Sequence, residues 1–267
     1  MPIAEGGLQG GQRALQVVAI VQARVGSVRL PGKVLRPILG RPMLARVIER
    51  LCLSETLRRV VVATTRLPYD DAVAQVAQGM RAGVFRGDEA DVLGRYVGAA
   101  RAFHADVIVR VTADCPLIDP SVLDQVASAY LAHAEDLDYV SNTVERTHPR
   151  GLDVEVFPLR VLEQLDRVSR SAAEREHVTL HVLHHPDRYR IAQVRHPVDH
   201  SAHYWTVDTE ADFQLVEAVY EALYPTQPRF GWTDVLQLFE ARPELFEVNR
   251  LQALVNDARL RAIDRGA

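Results

Sequence analysis

The stretch Val17-Val18-Ala19-Ile20-Val21-Gln22-Ala23-Arg24-Val25-Gly26-Ser27-Val28-Arg29-Leu30-Pro31-Gly32-Lys33 decides how the rest of the chain is read. Val17 to Val21 is a short apolar run rich in β-branched residues, the pattern of a strand buried on both faces, and it stops at polar Gln22. A loop therefore begins at the strand's carboxyl end. It carries Arg24, Arg29 and Lys33, with Gly26 and Gly32 allowing close backbone approach and Ser27 adding a hydroxyl. Fixed cations and free amides packed this densely suit a polyphosphate, and in open α/β sheets ligands sit beyond the carboxyl ends of the strands. The loop matches neither Gly-x-x-x-x-Gly-Lys-[Ser/Thr] nor Gly-x-Gly-x-x-Gly. Taken alone, it can also be read as a solvated surface loop.

Outward from this loop the chain alternates strands and helices. Leu44, Val47, Ile48 and Leu51 are apolar at helical spacing, with Arg46, Glu49 and Arg50 turned outward. Val60 to Ala63 is a second buried strand ending in Thr64-Thr65, and Asp70-Asp71 can cap the helix that follows. Val84-Phe85 is a short strand delivering Arg86-Gly87-Asp88-Glu89 to the same side of the sheet, and Val92 to Phe103 is helical. Val107 to Val111 is a strand followed at once by Thr112-Ala113-Asp114-Cys115-Pro116-Leu117-Ile118. A carboxylate held there by a proline-stiffened turn is placed for a nucleotide-bound Mg²⁺, which makes Asp114 a metal candidate; as a residue type it can equally be a turn or cap aspartate.

Ser121 to Ala132 reads as an amphipathic helix and Asp138-Tyr139-Val140 opens another strand. From Arg146 to Phe157 side chains alternate as in a strand, with Leu152, Val154 and Val156 on one face and Asp153 and Glu155 on the other. Those two carboxylates, introduced by Arg150-Gly151, can line a polar pocket or face water. Arg160 to Ala173 is expected to be helical, leading to Glu176-His177 with His181 nearby; His177 and His181 lack a His-Glu-x-x-His frame, so structural or substrate contacts are favoured over a metal site. In Tyr204-Trp205-Thr206-Val207-Asp208-Thr209-Glu210-Ala211-Asp212-Phe213, Asp208 or Thr209 can cap the next helix, with Glu210 and Asp212 in its first turn. Trp232, Val235, Leu238 and Phe239 form another amphipathic helix, and a helical tail begins at Pro243-Glu244-Leu245.

A chain of 267 residues, 48% hydrophobic and 25% charged, can bury one substantial core. A net charge of -4 gives no general reason to bind nucleic acid or an anionic membrane. Cys52 and Cys115, far apart, give neither a disulfide framework nor zinc spacing. The expected layout is a loose N-terminus over residues 1–14 and one domain over 15–267 ending in the helical tail. Without a signal-peptide core or an apolar run of about twenty residues, a cytoplasmic protein is expected.

The ordered pattern Ala23-Arg24-x-x-Ser27-x-Arg29-Leu30-Pro31-Gly32-Lys33 resembles the signature loop of the sugar-activating cytidylyltransferases, the group that includes the 3-deoxy-manno-octulosonate and acylneuraminate enzymes, with a particular likeness to their spore-coat polysaccharide relatives. Val111-Thr112-Ala113-Asp114-Cys115-Pro116-Leu117-Ile118 is similar to the family's second motif, Val-Gln-Gly-Asp-Glu-Pro-Leu-Ile in the octulosonate enzymes, with Thr112 and Cys115 as departures. Val207-Asp208-Thr209 and Asp212-Phe213 match the segment that supplies the family's second Mg²⁺-binding aspartate, and Arg-Gly-Leu-Asp-Val-Glu also occurs in the spore-coat group.

The resemblance spans roughly Val17 to Phe246. It implies an α/β fold of the nucleotide-diphospho-sugar transferase type, a Rossmann-like, mostly parallel sheet with an antiparallel excursion through which the family forms homodimers. It implies transfer of CMP from CTP to an acidic sugar, with release of pyrophosphate. Lys33 and Arg24 would be catalytic; Ala23, Arg24, Ser27, Arg29, Lys33, Thr64, Asp88 and Thr112 would meet the nucleotide. Asp114 and Asp208 would hold Mg²⁺, and Arg150, Asp153, Glu155, Glu176 and His177 the acceptor. A glycosyltransferase consuming a nucleotide sugar, or a nucleotide-binding protein without turnover, would share the sheet and the carboxylates.

Overall fold

Strand β1 (Val17–Gln22) occupies the middle of a seven-stranded sheet in the computed structural model, which describes residues 14–250 together with 254 and 255. A two-stranded hairpin, β2 (Pro37–Ile38) and β3 (Arg41–Pro42), leads into α1 (Met43–Leu51), and β4 (Arg59–Thr65) then lies parallel to β1. Next come α2 (Asp71–Gly79), β5 (Gly83–Gly87), α3 (Val92–Ala102) and β6 (Val107–Thr112). They are followed by α4 (Pro120–Leu131), β7 (Tyr139–Ser141), β8 (Glu155–Pro158), α5 (Leu159–Val168), α6 (Ala172–His177) and α7 (Leu180–His184). β9 (Ile191–Gln193), α8 (Glu210–Leu223), α9 (Trp232–Ala241) and α10 (Glu244–Glu247) complete the described elements.

The strand order β5-β4-β1-β6-β8-β7-β9 is parallel except at β8, which runs against both of its neighbours. β1 shows why the core has two layers. Val17, Ala19 and Val21 join one apolar cluster with α1, α4, α8 and α9, while Val18 and Ile20 join the other with α3 and α5. All five are at most 3% exposed, as a strand covered on both faces requires.

After β1 the chain moves outward to β4 and β5, then crosses back to add β6 on β1's other side. This is a topological switch point, and the crevice it leaves lies beyond the carboxyl ends of β1 and β6, where Gln22 pairs with Thr112. The sheet therefore delivers the first loop and the Asp114 turn side by side.

Four local expectations change. Arg46 and Arg50, expected to turn outward from α1, are 2% and 3% exposed and donate to the Ile38 and Ile118 carbonyl oxygens. The extended run expected over 146–157 is a strand only from Glu155, because a turn at the preceding Gly151, with φ of 105°, interrupts it. The helix expected over 160–173 ends at Val168 and a new one starts at Ala172, where Ser171 and Glu174 form a reciprocal capping box. Asp70 precedes α2, yet its carboxylate makes no cap bond; it accepts from the Val25 amide at 2.7 Å and from the Thr65 hydroxyl. The expected N-terminal segment lies outside the described residues apart from Ala14, and so does most of the tail beyond α10. No helix among the described residues is long and apolar enough to cross a membrane.

Candidate active site

The loop after β1 is built before it meets any ligand. The amides of Ser27 and Gly32 both donate to Val25 carbonyl oxygen, at 2.7 and 3.0 Å, and Gly32 adopts the left-handed region with φ of 72°, which a glycine enters at little cost. A single 3₁₀ turn, Lys33–Leu35, follows and turns the Lys33 side chain inward, where it is 8% exposed. Asp70 ties the other end of the loop to the tip of β4. These contacts fix the backbone and leave the side chains of Arg24, Ser27, Arg29 and Lys33 lining a 480 Å³ cavity.

Two segments far apart in sequence close on that loop. The Val207 amide donates to Asp114 carbonyl oxygen at 2.8 Å, which docks the segment before α8 against the turn after β6. The two carboxylates then converge on one point, and the Lys33 ammonium stands there: 3.0 Å from Asp114 Oδ2, 3.1 Å from Asp208 Oδ1 and 2.6 Å from Val207 carbonyl oxygen. Arg29 also reaches Asp208 Oδ1, at 2.8 Å, and Tyr204 donates its hydroxyl to Asp208 Oδ2, at 2.8 Å. Thr112 donates to Asp114 Oδ1 at 2.5 Å.

Charge dominates the electrostatics of this cluster. Burial alone would push the Asp114 carboxyl up, but the Lys33 ammonium and the Thr112 hydroxyl outweigh it and hold it below the usual range. Burial likewise works against the Lys33 charge, and Asp114 with Asp208 reverse that effect and raise its pKa. Cys115, beside Asp114 and 2% exposed, is held as a thiol well above its ordinary pKa by burial and by the Asp114 charge.

Of the other expected site residues, Ala23, Thr112, Arg150, Asp153, Glu176 and His177 line the same cavity. Asp153 is held by Arg146, with Nη2 to Oδ2 at 2.9 Å. Glu176 and His177 sit at the end of α6, which Arg175 clamps to Asp91 and Asp166 at 2.6 to 2.9 Å.

Three expected residues do not line the cavity. Thr64 is fully buried in β4. Asp88 turns its carboxylate to the Ala90 amide, at 2.8 Å. Glu155 is buried behind the wall, where it pairs with Arg110 and accepts from Tyr139 and Thr179, each at 2.6 Å. The alternation that put Asp153 and Glu155 on one face fails because the strand starts only at Glu155. His181 is occupied by Glu174, at 2.7 Å, a pairing that offers no support for a metal at His177 and His181.

Sequence reading missed several side chains that shape the site. Arg95 and Arg110 line the cavity from α3 and β6, and Glu89 holds Arg24 at 3.1 Å. Tyr204 and Asp70 anchor the aspartate and the loop. A separate hollow of 640 Å³ lies behind Arg150 and Tyr204, which it shares with the first; it contains neither Asp114 nor Asp208 and none of the loop cations.

Among the described residues no group of three or more His, Cys, Asp or Glu side chains converges on a metal position. Asp114 and Asp208 converge as a pair, and the cation now between them is an ammonium. A donor set of two carboxylates suits a hard ion such as Mg²⁺, which takes few protein oxygens and fills its sphere with phosphate and water.

A family model described as cytidylyltransferase matches residues 18–242. The chain is 32% identical over 237 residues to the spore coat polysaccharide biosynthesis protein SpsF of Bacillus subtilis, covering 85% of this chain and 95% of that one. It is 36% identical over 119 residues to a 3-deoxy-manno-octulosonate cytidylyltransferase of Trichlorobacter lovleyi, covering 45% of this chain and 46% of that one. Among solved structures, a cytidylyltransferase from Leptospira borgpetersenii superposes with a TM-score of 0.84 at 33% identity, over 87% of this chain and 97% of that one. A CMP-2-keto-3-deoxy-manno-octonic acid synthetase complexed with CTP shares the fold, with a TM-score of 0.58 at 20% identity over 78% of this chain and 99% of that one.

Proposed function

Since the chain belongs to the cytidylyltransferase family, we propose that it transfers CMP from CTP to an acidic sugar of the nonulosonic or octulosonic type, releasing pyrophosphate, with Mg²⁺ as cofactor. The observation that carries this reading is the meeting of Lys33, Asp114 and Asp208 at one point in the switch-point crevice, beside Arg24 and Arg29.

Nucleotidyl transfer asks little covalent chemistry of a protein. A sugar hydroxyl oxygen attacks the α-phosphorus while its proton passes to solvent, the bond from that phosphorus to the bridging oxygen breaks, and pyrophosphate departs with the electron pair. What the protein supplies is position and positive charge. Arg24, Arg29 and Lys33 neutralise the triphosphate, and Ala23 lines the same cavity beside them. Asp114 and Asp208 would hold Mg²⁺, which would supply Lewis-acid neutralisation of phosphate charge. Arg150, Asp153, Glu176 and His177 line the part of the cavity left for the acceptor.

The names of the relatives, spore coat polysaccharide biosynthesis and octulosonate cytidylyl transfer, support a role in polysaccharide or glycoconjugate biosynthesis, which we place in the cytoplasm. We further take the protein to act as a homodimer through the β7–β9 side of the sheet, which sedimentation of the purified chain tests. The reaction itself is tested by incubating the protein with each of the four nucleoside triphosphates and a panel of acidic sugars. Pyrophosphate released with CTP and one acid sugar is the expected result. Consumption of a nucleotide sugar instead would mark a glycosyltransferase, and tight CTP binding without product a nucleotide-binding protein.

A further inference from the structure

We propose that Lys33 stands in for the divalent cation in the free protein and yields that position when nucleotide arrives, so that metal and triphosphate enter the site as a coupled pair. The inference rests on the reading of Asp114 and Asp208 as the cation's ligands.

An ammonium has three N–H donors, and the partners of Lys33 use all of them: Asp114, Asp208 and Val207 carbonyl oxygen, at 3.0, 3.1 and 2.6 Å. The ammonium thus occupies the position on which both carboxylates converge. Lys33 and Asp208 are nearly buried, at 8% and 7% exposure, so little water competes for the bond between them, while the Asp114 side chain, 26% exposed, faces the cavity. A metal ion entering alone would have to displace the ammonium with no partner waiting for it. An unpaired charge in a site this enclosed is costly, and two like charges a few ångströms apart repel strongly.

A triphosphate changes that balance. It enters the same cavity and offers the displaced ammonium a new anionic partner. The backbone need not move, since Gly32 and the 3₁₀ turn fix it and the four-carbon lysine stem is flexible. Arg29 is also drawn to Asp208, so a second loop cation can shift from carboxylate to phosphate in the same event. The free protein therefore keeps its carboxylate pair neutralised and its loop cations in place. Linkage makes the coupling reciprocal: nucleotide raises metal affinity by the factor with which metal raises nucleotide affinity.

The experiment uses Mn²⁺ alone as probe, titrated against the full chain and followed by the electron paramagnetic resonance of the free ion. Apparent affinity scales with the fraction of molecules whose carboxylates are not already engaged by lysine. With that fraction at one in ten or lower, Lys33→Met binds Mn²⁺ about tenfold or more tightly than wild type in the absence of nucleotide. Lys33→Gln, which keeps a polar group beside the carboxylates and guards against misfolding of the first variant, shows the same direction. Adding Asp114→Asn to either variant removes the gain. Equal Mn²⁺ affinity in wild type and both lysine variants, with CTP still creating an Asp114-dependent Mn²⁺ site, overturns the role of Lys33 alone. Absence of Mn²⁺ binding in every protein, with and without CTP, overturns both this inference and the metal reading beneath it.

Discussion

The Tyr204 hydroxyl donates to Asp208 Oδ2 at 2.8 Å, while Arg29 and Lys33 share the other oxygen of that carboxylate. Asp208 is therefore oriented from both sides in the free protein. Burial and the nearby Asp208 charge push the Tyr204 phenol far above its ordinary pKa, so it remains a donor across the whole physiological range. Tyr204→Phe removes a hydrogen bond to a charged group, which is worth about 1.5–3 kcal/mol. Urea denaturation is expected to show a loss of that order, accompanied by a higher metal requirement for turnover. An unchanged midpoint with an unchanged metal requirement would show that the phenol does not orient Asp208.

Lys33→Ala and Asp114→Ala each remove one side of the cation cluster at the ends of the strands, away from the apolar layers. By analogy with deletion of one preorganised donor, each is expected to lower pyrophosphate release by about two to three powers of ten. Far-UV circular dichroism should stay unchanged. Turnover close to wild type in either variant would contradict the assigned roles.

Gly151 follows Arg150, which forms an isolated bridge with Tyr204, and its φ is 105°. A Cβ there would lie 2.8 Å from Trp205 carbonyl carbon and 2.9 Å from Thr206 amide nitrogen, backbone atoms that cannot rotate aside. Gly151→Ala is expected to cost about 1–3 kcal/mol from backbone strain alone, and to lower turnover by shifting Arg150 and Thr206 on the cavity wall. Gly79→Ala is the control: a Cβ meets nothing within 4 Å at the end of α2, and stability should hold or rise by up to about 1 kcal/mol.

Acid sensitivity follows from His203, packed among Trp205, Phe239 and Phe246. Burial first, then the His200 charge, brings its pKa down from 6.5 to about 4. The unfolded chain thus takes up a proton near pH 6.5 that the folded one refuses until about pH 4. Stability is full above pH 6.5 and falls as the pH drops through that window. His148 is shifted the same way by burial and by His196. Glu174, held at about 2 where His181 and the capping bonds outweigh its burial, extends the loss below pH 4.5. Melting temperatures measured against pH should show the first of these slopes flattened in His203→Phe; an identical slope would remove His203 as its cause.

Much of the site was legible because its residues are local in sequence. The apolar run of β1, the break at Gln22 and the cations that follow lie within 17 consecutive positions, and strand ends can be read from where alternation stops. The Thr209–Asp212 cap of α8 was equally local. What escaped was pairing across the chain. The bond from Val25 to Asp70 spans 45 residues and that from Arg110 to Glu155 also spans 45, and no periodicity announces either. The resemblance placed Thr64 and Asp88 at the nucleotide; β4 continues through Thr65 and buries the Thr64 side chain, and the Asp88 carboxylate accepts from the Ala90 amide. The Lys33 contacts with Asp114 and Asp208 bridge 81 and 175 positions; the charges were visible in the sequence, while the occupancy of the shared point by lysine was not.

Anomalous diffraction from crystals grown with CTP and Mn²⁺ tests the central claim most directly. A single manganese peak about 2 Å from carboxylate oxygens of both Asp114 and Asp208, with the triphosphate lying between it and the Arg24–Lys33 loop, is the predicted result. Bound CTP with the peak elsewhere, or with its phosphates turned away from that loop, would contradict it.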